Sequence, residues 1–138
     1  MKYLLIIFLL LCTSGCDENS TEDFQKGLDA AQSGDHETAL KEWRPLAEQG
    51  DVIAQFTLGL MYADGEGVVE DDKEAVKWYR LAAEQGFIEA QYSLGNMYAA
   101  GEGVIQDDEE AVKWYRLAAE QGYVNAQSRL GNLYLMGG

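Results

Sequence analysis

Few residues in this chain have the type and spacing that chemistry needs. Gly65-Glu66-Gly67 has the spacing of a phosphate-cradling loop, but no Lys-Ser/Thr pair follows it and an acidic loop repels phosphate. It reads as a turn. Asp64, Glu66, Glu70, Asp71 and Asp72 form an acidic cluster, echoed by Glu102, Asp107 and Asp108. The ligand spacing of a calcium-binding loop is absent, so these carboxylates read as helix caps and solvated surface. His36 is the only histidine and sits between Asp35 and Glu37. No Ser or Cys stands out as its nucleophilic partner. Ser14, Ser20, Ser33, Ser93 and Ser128 all lack a Lys three places on, which rules out the Ser-x-x-Lys arrangement. Cys12 and Cys16 both lie near the N-terminus, so no disulfide framework or Cys/His metal site holds the body of the chain. Trp78 and Trp114, each next to a Tyr, could be stacking platforms for sugars or bases. Set among Ala residues at helical spacing, they read as core. The expectation is no catalytic residue, no metal and no cofactor.

The 24 acidic against 10 basic residues give a formal net charge of -14. Such a chain repels nucleic acid and anionic headgroups, and it favours basic partners or simple solubility. Apolar residues make up 47% of the chain, enough for a core in one domain, and a single Pro at position 45 leaves long stretches free to be helical.

The elements that position these residues are set by an internal repeat. Residues 54–89 and 90–125 match without a gap at 26 of 36 positions. A third copy starts at Ala126 and runs to residue 138. A diverged copy, 24–53, lies upstream and aligns only if about four loop residues are missing. Each unit reads as two helices. Ala54, Leu58, Met61 and Tyr62 share one face of the first. Gly65 and Gly67 break the chain, and Asp71 to Glu74 has the form of a capping box, repeated at Asp107 to Glu110. Ala75, Val76, Tyr79, Ala82 and Ala83 line the inner face of the second helix, which Gly86 ends. A helix pair cannot bury its stripe alone, so neighbours must stack. The predicted fold is all-α, an α-solenoid of stacked antiparallel helix pairs with a 36-residue repeat.

The pattern A-Q-x-x-L-G-x-M-Y-x-x-G-x-G-V, followed by D and then A-V-x-W-Y-R-x-A-A-E-Q-G, resembles the Sel-1-like repeat, a relative of the tetratricopeptide repeat. The resemblance covers residues 24–138. It implies a protein-binding adaptor and leaves the pathway open. Some secreted relatives are reported as β-lactamases and carry a Cys pair in each repeat. This chain has no such pairs, and that activity is not expected.

The N-terminus reads as a targeting segment. Lys2 precedes an apolar run from Tyr3 to Leu11, which is too short to span a bilayer. Thr13-Ser14-Gly15-Cys16 resembles a bacterial lipobox, with Thr13 where Leu is usual. The resemblance implies cleavage after residue 15 and a lipid on Cys16. Asp17 resembles an inner-membrane retention signal, and residues 16–23 read as a polar tether. The chain is then expected in the bacterial envelope, facing the periplasm and touching the membrane through its lipid only.

A binding surface follows from the two full repeats. Four of their ten differences lie in the first helix, at 56, 57, 60 and 64. On a wheel of about 100° per residue these fall in one arc, and the identical positions fill the rest. Identical positions must pack on the same neighbours, whereas the differing arc is free to face a partner. The stripe reads Phe56, Thr57, Leu60 and Asp64; Tyr92, Ser93, Asn96 and Ala100; Ser128, Arg129, Asn132 and Met136. The family resemblance places it on the concave side. The expected function is a non-catalytic adaptor for a protein or peptide. The alternative is an immunity lipoprotein that neutralises a secreted antibacterial effector. Leu130, Leu133, Tyr134 and Met136 lack a following helix, which predicts self-association or fraying at that end.

Overall fold

The computed structural model describes residues 18–136. The residues read as a targeting segment, with Cys16 and Asp17, lie outside that range. Seven helices follow one another: α1 (Glu18–Gln32), α2 (His36–Glu48), α3 (Val52–Asp64), α4 (Asp72–Glu84), α5 (Ile88–Ala100), α6 (Asp108–Glu120) and α7 (Val124–Met136). Each packs chiefly on its neighbours in sequence, and none of the described residues forms a strand. This is the α-solenoid that the 36-residue period requires.

The helix ends follow from local chemistry. Asp71 and Asp107 accept hydrogen bonds from the backbone N–H groups two and three residues on, at 3.0–3.2 Å. The reciprocal half of the expected capping box does not form. The backbone N–H of Asp71 instead reaches Tyr62 O at 2.9 Å, and that of Asp107 reaches Tyr98 O at 3.0 Å, so the loop is tied to the preceding helix. Gly65 ends α3 in the left-handed region at φ 70. Gly67 has a different task, because a Cβ there would lie 2.7 Å from the backbone carbon of His36. The Gly-Glu-Gly turn thus seats one repeat on the N-terminus of the second helix of the repeat before.

The first helix pair corrects one expectation. Residues 18–23, read as tether, are the opening turns of α1. They are held by side-chain contacts one turn apart, such as Lys26 to Asp23 at 3.1 Å. Beyond them, Phe24 packs on Trp43, and the Trp43 indole N–H donates to Phe24 O at 3.1 Å. The α1–α2 connection, residues 33–35, is four residues shorter than the loop at 65–71, which accounts for the missing residues in the alignment.

Small residues set the spacing of the stack. Ala54, Ala75, Ala82, Ala90, Ala111 and Ala118 are fully buried. Gly59 lies under the ring of Tyr79 and Gly95 under that of Tyr115, so close that a Cβ would come within 2.5 Å and 2.6 Å of ring carbons. Trp78 and Trp114 are core, 3% and 5% exposed.

Candidate interaction surface

The repeat-identical face of the first helices is the buried one. Ala54, Gln55, Leu58, Gly59 and Met61 of α3 are buried, as are Ala90, Gln91, Leu94, Gly95 and Met97 of α5. None of the twelve stripe positions is buried. Leu60 is 39% exposed, and Asp64, Ala100, Ser128, Arg129, Asn132 and Met136 are exposed. The variable arc is therefore less buried than the identical one, with Phe56, Thr57, Tyr92, Ser93 and Asn96 half-buried.

It is not free of internal contacts. Phe56 is half-buried between Tyr79 and Phe87, with ring centroids 5.7 Å and 5.0 Å away. Tyr92 repeats this against Tyr115 and Tyr123 at 5.8 Å and 5.1 Å, and its hydroxyl meets Arg129 Nε at 3.5 Å. The Asn96 side-chain oxygen accepts the Tyr115 hydroxyl at 2.6 Å. Thr57 donates to Ile53 O at 2.7 Å. The stripe is thus a row of side chains stiffened by their neighbours, which lowers the entropy lost on docking.

Burial pushes the Tyr79 hydroxyl well above its ordinary pKa, helped by the Asp64 and Asp72 carboxylates. Tyr115 is pushed up to about 12, mainly by burial, with Arg129 opposing. Both stay neutral hydrogen-bonding groups across the physiological range. A cavity of about 400 Å³ lies beside Tyr115, Arg129 and Asn132, walled by Leu133 and Met136. These groups can hold apolar, hydroxyl and amide groups of a ligand.

The opposite face is differently engaged. Lys77 pairs with Glu74 at 3.5 Å and lies over Trp78, and Lys113 does the same with Glu110 and Trp114. The Arg44, Arg80 and Arg116 guanidiniums donate to the hydroxyls of Tyr62, Tyr98 and Tyr134 one helix on. His36 opens α2 with its ring 3.9 Å from Glu66. Among the described residues no three His, Cys, Asp or Glu side chains converge as a metal site.

Sequence reasoning missed the glutamines. Buried Gln55 and Gln91 donate to Ala47 O and Ala83 O at 3.1 Å and 3.2 Å. Their side-chain oxygens accept from Gln85 and Gln121 at 2.7 Å and 2.8 Å. The signal was present, since a polar residue held identical within a packed arc needs a partner.

The Sel1 repeat model matches residues 52–87, 88–123 and 124–138. The first helix pair lies outside that match. A Sel1 repeat protein from Oxalobacter formigenes superposes with a TM-score of 0.76 at 37% identity, covering 83% of this chain and 47% of that one. A protective antigen of uropathogenic Escherichia coli strains, displaying an SLR fold, gives 0.80 at 41%, covering 86% and 26%. An exopolysaccharide production negative regulator from Rhizobium leguminosarum bv. viciae is 41% identical over 51 residues, 37% of this chain. The chain spans only 19% of that curated relative. Helicobacter pylori cysteine rich protein B, 19% identical with a TM-score of 0.65, shares the fold over 85% of this chain and 98% of its own.

Proposed function

The chain belongs to the Sel1 repeat family, and on that premise we propose that it is a non-catalytic adaptor that binds a protein or peptide along the first-helix stripe. One observation carries this reading. The positions that vary between near-identical repeats are all unburied, while the identical ones in the same helices supply the core. The mixture of Phe56, Tyr92, Asn96 and Arg129 suits a protein interface, where aromatic and Arg side chains supply anchors. Enlarging Ser93 to Trp and reversing Asp64 to Lys should abolish recovery of a partner with the tagged chain while leaving the melting temperature in place. Retained binding with both changes, and its loss on changing Lys77 and Lys113, would put the site on the other face.

We further propose that Cys16 carries a lipid that anchors the adaptor in a bacterial envelope, with Asp17 favouring the inner membrane. Cys16→Ser should release the chain from membranes, and an intact mass with no added lipid would refute the anchor. The net charge of -14 favours a basic partner. It thereby also supports the immunity reading, in which the partner is a secreted effector. A toxin gene beside this one would favour that reading, and a sensor or secretion gene the adaptor.

A further inference from the structure

Packing sets the register of α1 on the later first helices. Gly27 lies under the Trp43 ring, so that a Cβ there would collide with it, just as Gly59 lies under Tyr79 and Gly95 under Tyr115. Phe24 then stands where Phe56 and Tyr92 stand. Its ring is 5.6 Å from Trp43, against 5.7 Å for Phe56 from Tyr79 and 5.8 Å for Tyr92 from Tyr115. By the same register Gln25 matches Thr57 and Ser93, and Leu28 matches Leu60 and Asn96. Gln25 is exposed, while Phe24 and Leu28 are half-buried against the cluster that holds Leu58 and Met61 of α3. The first-helix stripe therefore begins on α1, a helix outside the matched family repeats.

Two features single out this end. Phe56 and Tyr92 each have a second ring neighbour, Phe87 and Tyr123, and the repeat of Phe24 carries Asp51 at that position. Among the described residues Trp43 is the one ring against Phe24. Polarity also changes along the stripe, from Phe24 and Leu28 on α1 and Phe56 and Leu60 on α3 to Tyr92 and Asn96 on α5. In a chain with 24 acids, Asp64 is the sole charge at Phe24, Gln25, Leu28 and Gln32 and at their counterparts on α3 and α5.

We propose that α1 and α3 form the apolar end of the binding stripe, which seats the apolar end of an uncharged partner segment whose hydroxyl or amide groups then lie along α5. The seat is part of the proposed partner site and presupposes it. One apolar side chain of the segment takes the place beside Phe24 that Phe87 and Tyr123 fill in the later repeats, and a second lies against Leu60. A charge on this part of the segment would lose its water and find no counter-charge. The acidic side chains lie almost wholly off the stripe, where they attract a basic protein from a distance without touching the seated segment.

The probe is a phage-displayed library of random peptides about twelve residues long, enough when extended to cross three first helices, selected on the immobilised full chain. Expected are uncharged sequences with Leu, Ile, Val or Phe gathered at one end and Ser, Thr, Asn or Gln at the other. A synthetic peptide of the enriched sequence should bind saturably, with an affinity that changes less than about twofold between about 0.05 and 0.5 M NaCl. Gln25→Lys and Leu60→Lys should each weaken it by about tenfold or more by setting a charge against the apolar end. Each new Lys has an acid one turn on, Asp29 or Asp64, so the variants should melt as the parent does. Peptides lost on Ser93→Trp but indifferent to Gln25→Lys would leave the stripe as the partner site and overturn its apolar end on α1. Peptides indifferent to Ser93→Trp as well would remove the stripe itself. Enrichment of Lys- and Arg-rich peptides, or no enrichment, would also overturn the proposal. So would selection that succeeds only once residues 3–11 are deleted, since the chain's own apolar run would then be the occupant, or sedimentation as a dimer that Leu60→Lys dissociates.

Discussion

Gln85 donates its side-chain amide to Oε1 of Gln55 at 2.7 Å and also reaches Gly50 O at 3.1 Å, so the end of α4 is tied to both α3 and the turn before it. Gln121 makes the same two contacts with Gln91 and Gly86, at 2.8 Å and 3.3 Å. These amides fix the register of one repeat on the next, which apolar contact alone would leave able to slide.

Replacing Gln91 by Leu keeps the volume but strips Ala83 O and the Gln121 amide of a partner. The expected loss is about 1–3 kcal/mol. Chemical denaturation of the single variants and of the Gln91–Gln121 double variant checks it, and the two losses should not add.

Gly95→Ala and Gly131→Ala are the same substitution at equivalent positions with opposite environments. The first pushes a methyl into the Tyr115 ring and should cost about 1–3 kcal/mol. The second meets open space and should leave stability unchanged or raise it by up to about 1 kcal/mol through helix propensity. Paired thermal melts decide.

Alkaline pH should unfold the stack early. Tyr115 is held near 12 in the fold against an ordinary 10.0, so the folded state keeps a proton that the unfolded state loses. Its contribution is complete below about pH 10 and declines as pH rises from there towards 12. Tyr79 acts in the same direction. Denaturation midpoints measured from pH 8 to 12 should fall, and Tyr115→Phe should make that fall shallower.

Trp78→Ala should remove about 3–5 kcal/mol, since its ring is core between repeats. Asn96→Ala should lose about 0.5–1.5 kcal/mol, because the Tyr115 hydroxyl is left without its acceptor. Ser93 and Asp64 make cleaner tests of binding than Tyr92 and Asn96 for this reason.

The period of 36 residues made the helix pairs and their core faces legible before any coordinates, because packing on identical neighbours enforces identical residues. Three things stayed hidden. The helix that starts at Glu18 docks through the contact of Phe24 with Trp43, which local composition does not display. Asp71 looked like half of a capping box, yet its backbone N–H is claimed by Tyr62 O from the preceding helix. The support of Tyr92 by Tyr115, Tyr123 and Arg129 joins residues up to 37 apart, a proximity set by helix packing that helical spacing along one element does not display.

We propose that the first-helix stripe receives the partner. A photo-crosslinking amino acid placed at Ser93, and separately at Lys113 on the opposite face, tests it in intact cells. A discrete adduct of one partner from position 93 and none from position 113 is predicted. An adduct from 113 alone would put the partner on the opposite face.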